Sequence, residues 1–270
     1  MKNVHDIRQK TRFCVIIPVY NSENFISDTI NSVLQYAENI IIINDGSTDG
    51  TADVIIQHYG FDLQSREVIE NCKCQKNANI IVISYSKNRG KGYALQQGFK
   101  KALELGFTHV VTMDADGQHL ANDIALLTER TQKNPDALIV GSRKFDNPNM
   151  LKGSRFANNF SNFWFRMQTG ISLPDTQTGF RLYPLHRMGN MRLFTNRYET
   201  ELELLVRLAW RGIKIIPQEI NVYYPPENER LSHFRKGIDF FRISVLNTVL
   251  CVFAVVYGYP SMFLRKIFKT

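Results

Sequence analysis

Only four cysteines occur in 270 residues, at positions 14, 72, 74 and 251, too few and too scattered for a disulfide framework. Cys72 and Cys74 form a C-x-C pair with no second pair to complete a zinc site, so reduced thiols in a loop are expected there. The first twelve residues, MKNVHDIRQKTR, lack an apolar stretch, so no secretory leader is expected and the chemistry is placed in the cytosol. Internal repeats and low-complexity tracts are absent, and the basic residues form no long run, which excludes a disordered nucleic-acid tail. There is no RNP-type motif to support RNA binding.

What remains is an ordinary globular composition, 44% hydrophobic and 21% charged, with enough apolar material for a sizeable core. The length favours a single large α/β unit. Lysine and arginine outnumber aspartate and glutamate 33 to 25, a net charge of +8 that favours an anionic partner, such as a phosphorylated molecule or a membrane surface.

Short apolar runs alternate with helical patterns. FCVIIPV, NIIIIND, ANIIVISYS and THVVTMDAD read as strands covered on both faces, and the segments between them and after the fourth read as helices. The polar stretch from Gly60 to Asn79 is expected to be a surface excursion. A βαβα series predicts a mostly parallel sheet flanked by helices. After Gly141 the rhythm breaks into an aromatic and basic stretch, the turn-rich LPDTQTGFRLYP, an acidic helix RYETELELLVRLAWRG and a strand IKIIPQEINVYY. This half, about 119–241, reads as a lid and acceptor side added to a nucleotide half of about 13–118, and residues 242–270 as a tail. No charge interrupts the tail between Arg242 and Arg265, a length sufficient to span a bilayer. Two readings stand for it: membrane-embedded or interfacial, or packed against the domain or in a homo-oligomer. Arg265, Lys266 and Lys269 suit anionic headgroups.

Ligands of open parallel sheets bind beyond the carboxyl ends of the strands. Polar residues collect there after four strands: Asn21 and Glu23, Asp45, Asn88 to Gly92, and Asp114 with Asp116. Two acids at the tip of a buried strand repel each other unless a divalent cation lies between them and a diphosphate, as Mg²⁺ and Mn²⁺ do with oxygen ligands. Gln118 is placed to orient a ligand. Asp45 can accept hydrogen bonds from a nucleoside, with Pro18 to Asn21 as its wall. NRGKG is no Walker A loop, but it presents amides and Lys91 at a helix start, near where phosphates would lie.

PVYNSENFI, INDGSTDGT, NRGKGYAL, MDADGQH, VGSR and TGFRLYP, in this order, resemble the family-two inverting glycosyltransferases of GT-A fold. The likeness is strongest to the dolichyl- and polyprenyl-phosphate sugar synthases and related bacterial lipid glycosyltransferases. It implies a UDP-sugar or GDP-mannose donor, a nucleoside site at Asp45 with Pro18, Tyr20, Asn21 and Glu23, and a Mg²⁺ or Mn²⁺ site at Asp114, Asp116 and Gln118. It also implies an acceptor-phosphate pocket of Arg143, Arg155 and Arg181. Inversion calls for a base on the acceptor side. Glu201 and Glu203 match the family's acidic pair, with Glu199 nearby and Glu201 favoured; a phosphate acceptor needs no strong base, and these acids then only position substrate. The S-H-F-R segment at 232–235 resembles that of lipid-modifying members. The Q-x-x-R-W segment of processive synthases is absent. Two rivals stand beside this reading. A nucleotidyltransferase would carry a Gly-rich signature after the first strand, which PVYNSENF lacks, and a binding module of the same fold would have lost catalysis.

Overall fold

The computed structural model describes residues 11–59, 69–74, 78–145, 152–189, 191–224, 235 and 237–268. The strands are β1 (Phe13–Val19), β2 (Asn39–Asn44), β3 (Ile69–Cys74), β4 (Ala78–Ser84), β5 (His109–Thr112), β6 (Leu138–Arg143), β7 (Arg181–Pro184) and β8 (Ile215–Ile220). The helices are α1 (Ile26–Val33), α2 (Thr51–Tyr59), α3 (Lys91–Glu104), α4 (Asp123–Lys133), α5 (Lys152–Thr169), α6 (Leu185–Met188), α7 (Glu199–Trp210), α8 (Ile238–Phe253) and α9 (Tyr259–Phe268).

One sheet runs in the order β3-β4-β2-β1-β5-β7-β6-β8. β4, β2, β1 and β5 are parallel neighbours, and β6 pairs parallel with β8, while β3 and β7 run against their partners. Because strand side chains alternate in direction, each apolar run feeds two cores. Ile16, Ile41, Ile43, Ile81 and Ile83 meet Leu95 and Phe99 of α3 and the leucines of α7. Their neighbours Val15, Ile17, Ile40, Ile42 and Val82 meet Ile26 and Ile30 of α1, Ile55 of α2 and Leu127 of α4. Each fully buried isoleucine contributes roughly 1.5–3 kcal/mol, so NIIIIN at the centre of the sheet is among its firmest segments.

The mostly parallel, helix-flanked sheet is the architecture expected, with three corrections. Residues 69–74 of the expected excursion form an antiparallel edge strand, so Cys72 and Cys74 lie on a strand and not in a loop. An edge strand pairs on one side only and needs no continuous apolar run, which is why its pattern reads as polar. The turn-rich TGFRLYP contains β7, a four-residue strand inserted between β5 and β6. The second half is thus not appended to the sheet: β7, β6 and β8 complete it.

The tail is one helix from Ile238 to Phe268, long and apolar enough to cross a membrane, with a π-wound segment at Ala254–Gly258. One face is clasped to the domain along most of its length. Leu246, Leu250 and Ala254 enter the core beside α7. Gln168 Nε2 donates to Asn247 Oδ1 at 2.9 Å, and Tyr259 Oη to the Met167 carbonyl at 2.6 Å. Ser261 Oγ donates to the Trp210 carbonyl at 3.1 Å. The Trp210 indole lies where a Cβ on Gly258 would point, so only glycine lets the helix approach. Val252, Val255, Val256 and Phe263 remain exposed on the other side.

Candidate active site

The chain leaves β1 toward β2 on one side while β5 lies on the other, which makes a topological switch point, and a cavity of about 680 Å³ opens at the carboxyl ends of these strands. Pro18, Tyr20, Asp45, Lys91, Asp114 and Asp116 all line it. Six expected site residues from four separate loops therefore share one space.

Asp45 follows β2, and its carboxylate accepts the amides of Arg89 at 2.8 Å and Gly90 at 2.7 Å. It thereby fixes the loop that starts α3. Burial raises its pKa, opposed by those two amides and by the charges of Arg197 and Arg89. Lys91, the first residue of α3, reaches back to Asp114 at 2.6 Å and Glu201 at 3.0 Å. Burial opposes the lysine charge, yet the two carboxylates outweigh it and push its pKa up. Asp114 is correspondingly lowered: burial works against ionisation, and Lys91 and then His119 overcome it. Asp116 is raised, first by burial and then by the Asp114 charge. The backbone of Gly179 packs against this cluster. A Cβ there would stand 2.8 Å from Asp114 Oδ2, 2.8 Å from Lys91 Nζ and 3.0 Å from Glu201 Oε1.

The other expected residues have different placements. Asn21, with φ of 49°, accepts the Thr48 amide at 2.7 Å, and Glu23 accepts the Gly50 amide at 2.6 Å. Both tie the loop after β1 to the loop after β2 and shape the cavity from behind. The Gln118 amide donates to Asp116 Oδ1 at 3.0 Å.

Arg143 spends its fork on the buried Asp175, at 2.7 and 3.1 Å, and does not line the cavity. Arg155 stands exposed on α5. Arg181 is fully buried; its guanidinium donates to the carbonyls of Thr176, Thr178 and Glu201, so it braces α7 and does not line this cavity.

Glu203 points away from the site. Its carboxylate accepts the amides of Phe194 and Thr195, the Thr195 hydroxyl and Arg207, which leaves no free oxygen for a base. Two residues apart on a helix face different ways, and Glu201 takes the site side. Its Oε2 holds Lys91, while Oε1 is buried without a partner among the described residues. Glu199 is buried, 3.9 Å from Arg242. The S-H-F-R segment falls outside the described residues except for Arg235.

Several lining residues carried no assignment from the sequence: Arg197 and Tyr198, just before the acidic helix, and Asp239, the lone acid at the start of the apolar tail. Arg197 and Tyr198 stood within the quoted RYETELEL, and Asp239 was signalled by being a charge at an apolar boundary. His119 is a fourth. Its ring stacks on Phe180 at 5.2 Å, and its buried Nδ1 has no partner among the described residues.

Among the described residues no group of three or more His, Cys, Asp or Glu side chains surrounds a single point. The donors nevertheless suit a hard cation. Asp114 and Asp116 offer two carboxylates whose repulsion a cation would relieve, beside an unpartnered imidazole nitrogen, and Mg²⁺ sites commonly take only one or two carboxylates plus substrate phosphates.

Residues 14–186 match the model of glycosyl transferase family 2. The chain belongs to that family. This glycosyltransferase is 33% identical over 199 residues to the UDP-N-acetylglucosamine–dolichyl-phosphate N-acetylglucosaminyltransferase of Methanococcus voltae, covering 71% of this chain and 78% of that one. It is 24% identical to the undecaprenyl-phosphate mannosyltransferase of Micrococcus luteus, over 76% of this chain and 81% of the other. Its fold matches the crystal structure of glucosyl-3-phosphoglycerate synthase from Mycobacterium tuberculosis in complex with Mn²⁺, UDP and glucosyl-3-phosphoglycerate. That match has a TM-score of 0.59 at 16% identity, over 90% of this chain and 80% of that one, and establishes the GT-A fold. Family membership removes the nucleotidyltransferase as a rival.

Proposed function

We propose that this family 2 enzyme moves one sugar, with inversion, from a UDP-sugar or GDP-mannose to a polyprenyl phosphate at the cytosolic face of a membrane. The observation that carries the reading is the convergence of Asp114, Asp116 and Lys91 in one cavity that Pro18, Tyr20 and Asp45 also line. That arrangement suits a nucleoside at one end and a diphosphate at the other. The relatives named above both act, by name, on a lipid phosphate.

In the reaction the bond from the anomeric carbon to the diphosphate oxygen breaks, and the electron pair leaves with the nucleoside diphosphate. An oxygen of the acceptor phosphate bonds to the opposite face of that carbon. A phosphate monoester is already ionised near neutral pH, so no proton need be removed, and Glu201 serves to hold Lys91 in place. Asp114 and Asp116, with Gln118 and His119 beside them, would hold Mg²⁺ or Mn²⁺, which when bound neutralises charge on the departing diphosphate. The same lysine that neutralises Asp114 lies at the amino end of α3, where backbone amides favour phosphate.

The test is direct. Purified enzyme, Mn²⁺, a panel of UDP-sugars and GDP-mannose, and polyprenyl phosphate in detergent are expected to yield a glycosylated lipid phosphate by mass spectrometry. Transfer to free saccharides with none to the lipid would overturn the acceptor assignment.

A further inference from the structure

A second concavity, about 630 Å³, lies beside the donor cavity and shares Arg197 with it. Its wall on the tail helix is a stripe at helical spacing, Phe241, Val245, Val249 and Phe253, and Phe194 closes the opposite side, stacked on Phe253 at 6.3 Å. At 1.5 Å per residue the stripe is ~18 Å long.

The two ends differ. Toward the donor cavity stand Arg197, Arg89 and Arg242, the last 3.9 Å from the buried Glu199, so three cations face one carboxylate there, and the far end is apolar. The sequence of α8 sets this order: Asp239 lines the donor cavity, Arg242 the near end of the groove, and Phe253 the distal end. Arg197 makes no ion pair among the described residues; its stem packs over Gly90, and its charge acts on Asp45 across the cavity. Meanwhile Arg143 is committed to Asp175.

The geometry points to this groove as the seat of the acceptor lipid, with the phosphate at Arg197 and Arg242 and the first isoprene units along Val245, Val249 and Phe253. It rests on the acceptor class proposed above and adds the site. The occupant is an apolar chain with one anionic end, because an apolar trough with arginines at one end complements both parts of such a molecule. A bulk phospholipid or a second copy of the chain would have no need for the arginine end to open into the donor cavity. A lipid phosphate does need it, since its oxygen must reach the sugar. α8 therefore does two things: its inner face joins the core, and its edge forms half of a substrate groove.

The experiment compares two acceptors on the full-length enzyme, an eleven-isoprene phosphate and a two-isoprene phosphate. Val249 is partly exposed, so Val249→Asp places a charge in the trough without breaking the core. A thermal melt confirms folding. The ratio of kcat/KM for the long acceptor over the short one is expected to fall at least tenfold in Val249→Asp. In parallel, a polyprenyl phosphate carrying a benzophenone is expected to label residues 241–253 of the native enzyme in phosphatidylcholine vesicles. Unlabelled polyprenyl phosphate should compete, and phosphatidylglycerol should not. A ratio within twofold of native, or equal competition by phosphatidylglycerol, overturns the groove while leaving the transfer reaction intact. Failure of the native enzyme to glycosylate either acceptor overturns the acceptor class, and the groove with it.

Discussion

Lys91 stands between two carboxylates, and a third, Asp116, lies just beyond with its pKa raised by burial and by Asp114. Removing the charge of Asp116 relieves repulsion in the resting protein but takes away a carboxylate proposed above to hold the cation that faces the diphosphate. Asp116→Asn is expected to fold as well as native and to lose at least about a hundredfold in turnover, since a cation at such a site supplies several kcal/mol. Full activity in that variant would refute the role. Glu201 and Glu203 of α7 part company in the same way. Glu203→Gln disturbs a fully buried carboxylate that pairs with Arg207 and accepts the amides of Phe194 and Thr195, so it should lower stability by roughly 3 kcal/mol while preserving kcat per folded molecule. Glu201→Gln should do the reverse, keeping most of the stability and lowering kcat/KM on the order of a hundredfold by releasing Lys91. Chemical denaturation and steady-state kinetics on both variants separate the roles.

Among the elements, β5 carries the acidic pair at one end and a buried histidine at the other. Nε2 of His109 lies 2.8 Å from the Pro135 carbonyl. Burial lowers its pKa from the ordinary 6.5, helped by the His186 charge. The unfolded chain therefore takes up a proton before the folded one does. Stability is full above about pH 6.5 and is lost as pH falls toward the lowered folded value. Asp136, also lowered, titrates below the ordinary carboxylate range and leaves this window clear. The midpoint of thermal unfolding is expected to drop between pH 7 and 5, and His109→Gln should flatten that dependence. A slope unchanged in the variant would show that other groups carry it.

Across the whole molecule, the tail helix turns an exposed apolar face outward while its inner face is bonded to α5 and α7. A helix clasped from Leu246 to Ser261 would have to detach to cross a bilayer, so lying in the membrane plane is the arrangement that keeps those bonds. Exposed aromatics on α5, Phe156 and Phe163, and the cations Arg265 and Lys266 extend the same character. Val252 and Val256 are 61% and 72% exposed, so the double change Val252→Glu and Val256→Glu should leave the fold intact. It is expected to reduce co-sedimentation with anionic vesicles at least tenfold. Undiminished binding would assign the face to contacts other than lipid.

The doubly covered strands and the carboxyl-edge loops were legible because both are local: continuous apolar runs report burial on two faces, and loop residues follow their strands directly. The short or edge strands β3 and β7 were not, since four to six residues paired by backbone alone leave little trace in side-chain pattern. The same division holds at the site. Asp45, Lys91, Asp114 and Asp116 could be placed from position after a strand or at a helix start. The burial of Arg181, the pairing of Arg143 with Asp175 and the turning of Glu203 from the cavity could not. An arginine in a promising motif looks the same whether its fork meets a substrate or an aspartate thirty residues away.

Chain order and apolar periodicity were thus enough to indicate the doubly covered strands and the acids that gather at their carboxyl ends, and the order of short motifs was enough to suggest the family, because all of these depend on residues near one another along the backbone. Which charges neutralise each other, which face of the tail is covered, and that Arg197 and Asp239 border the cavity came from long-range packing. Such placements join elements as far apart in the chain as Pro18 and Asp239, which line the same cavity, and no local pattern records them.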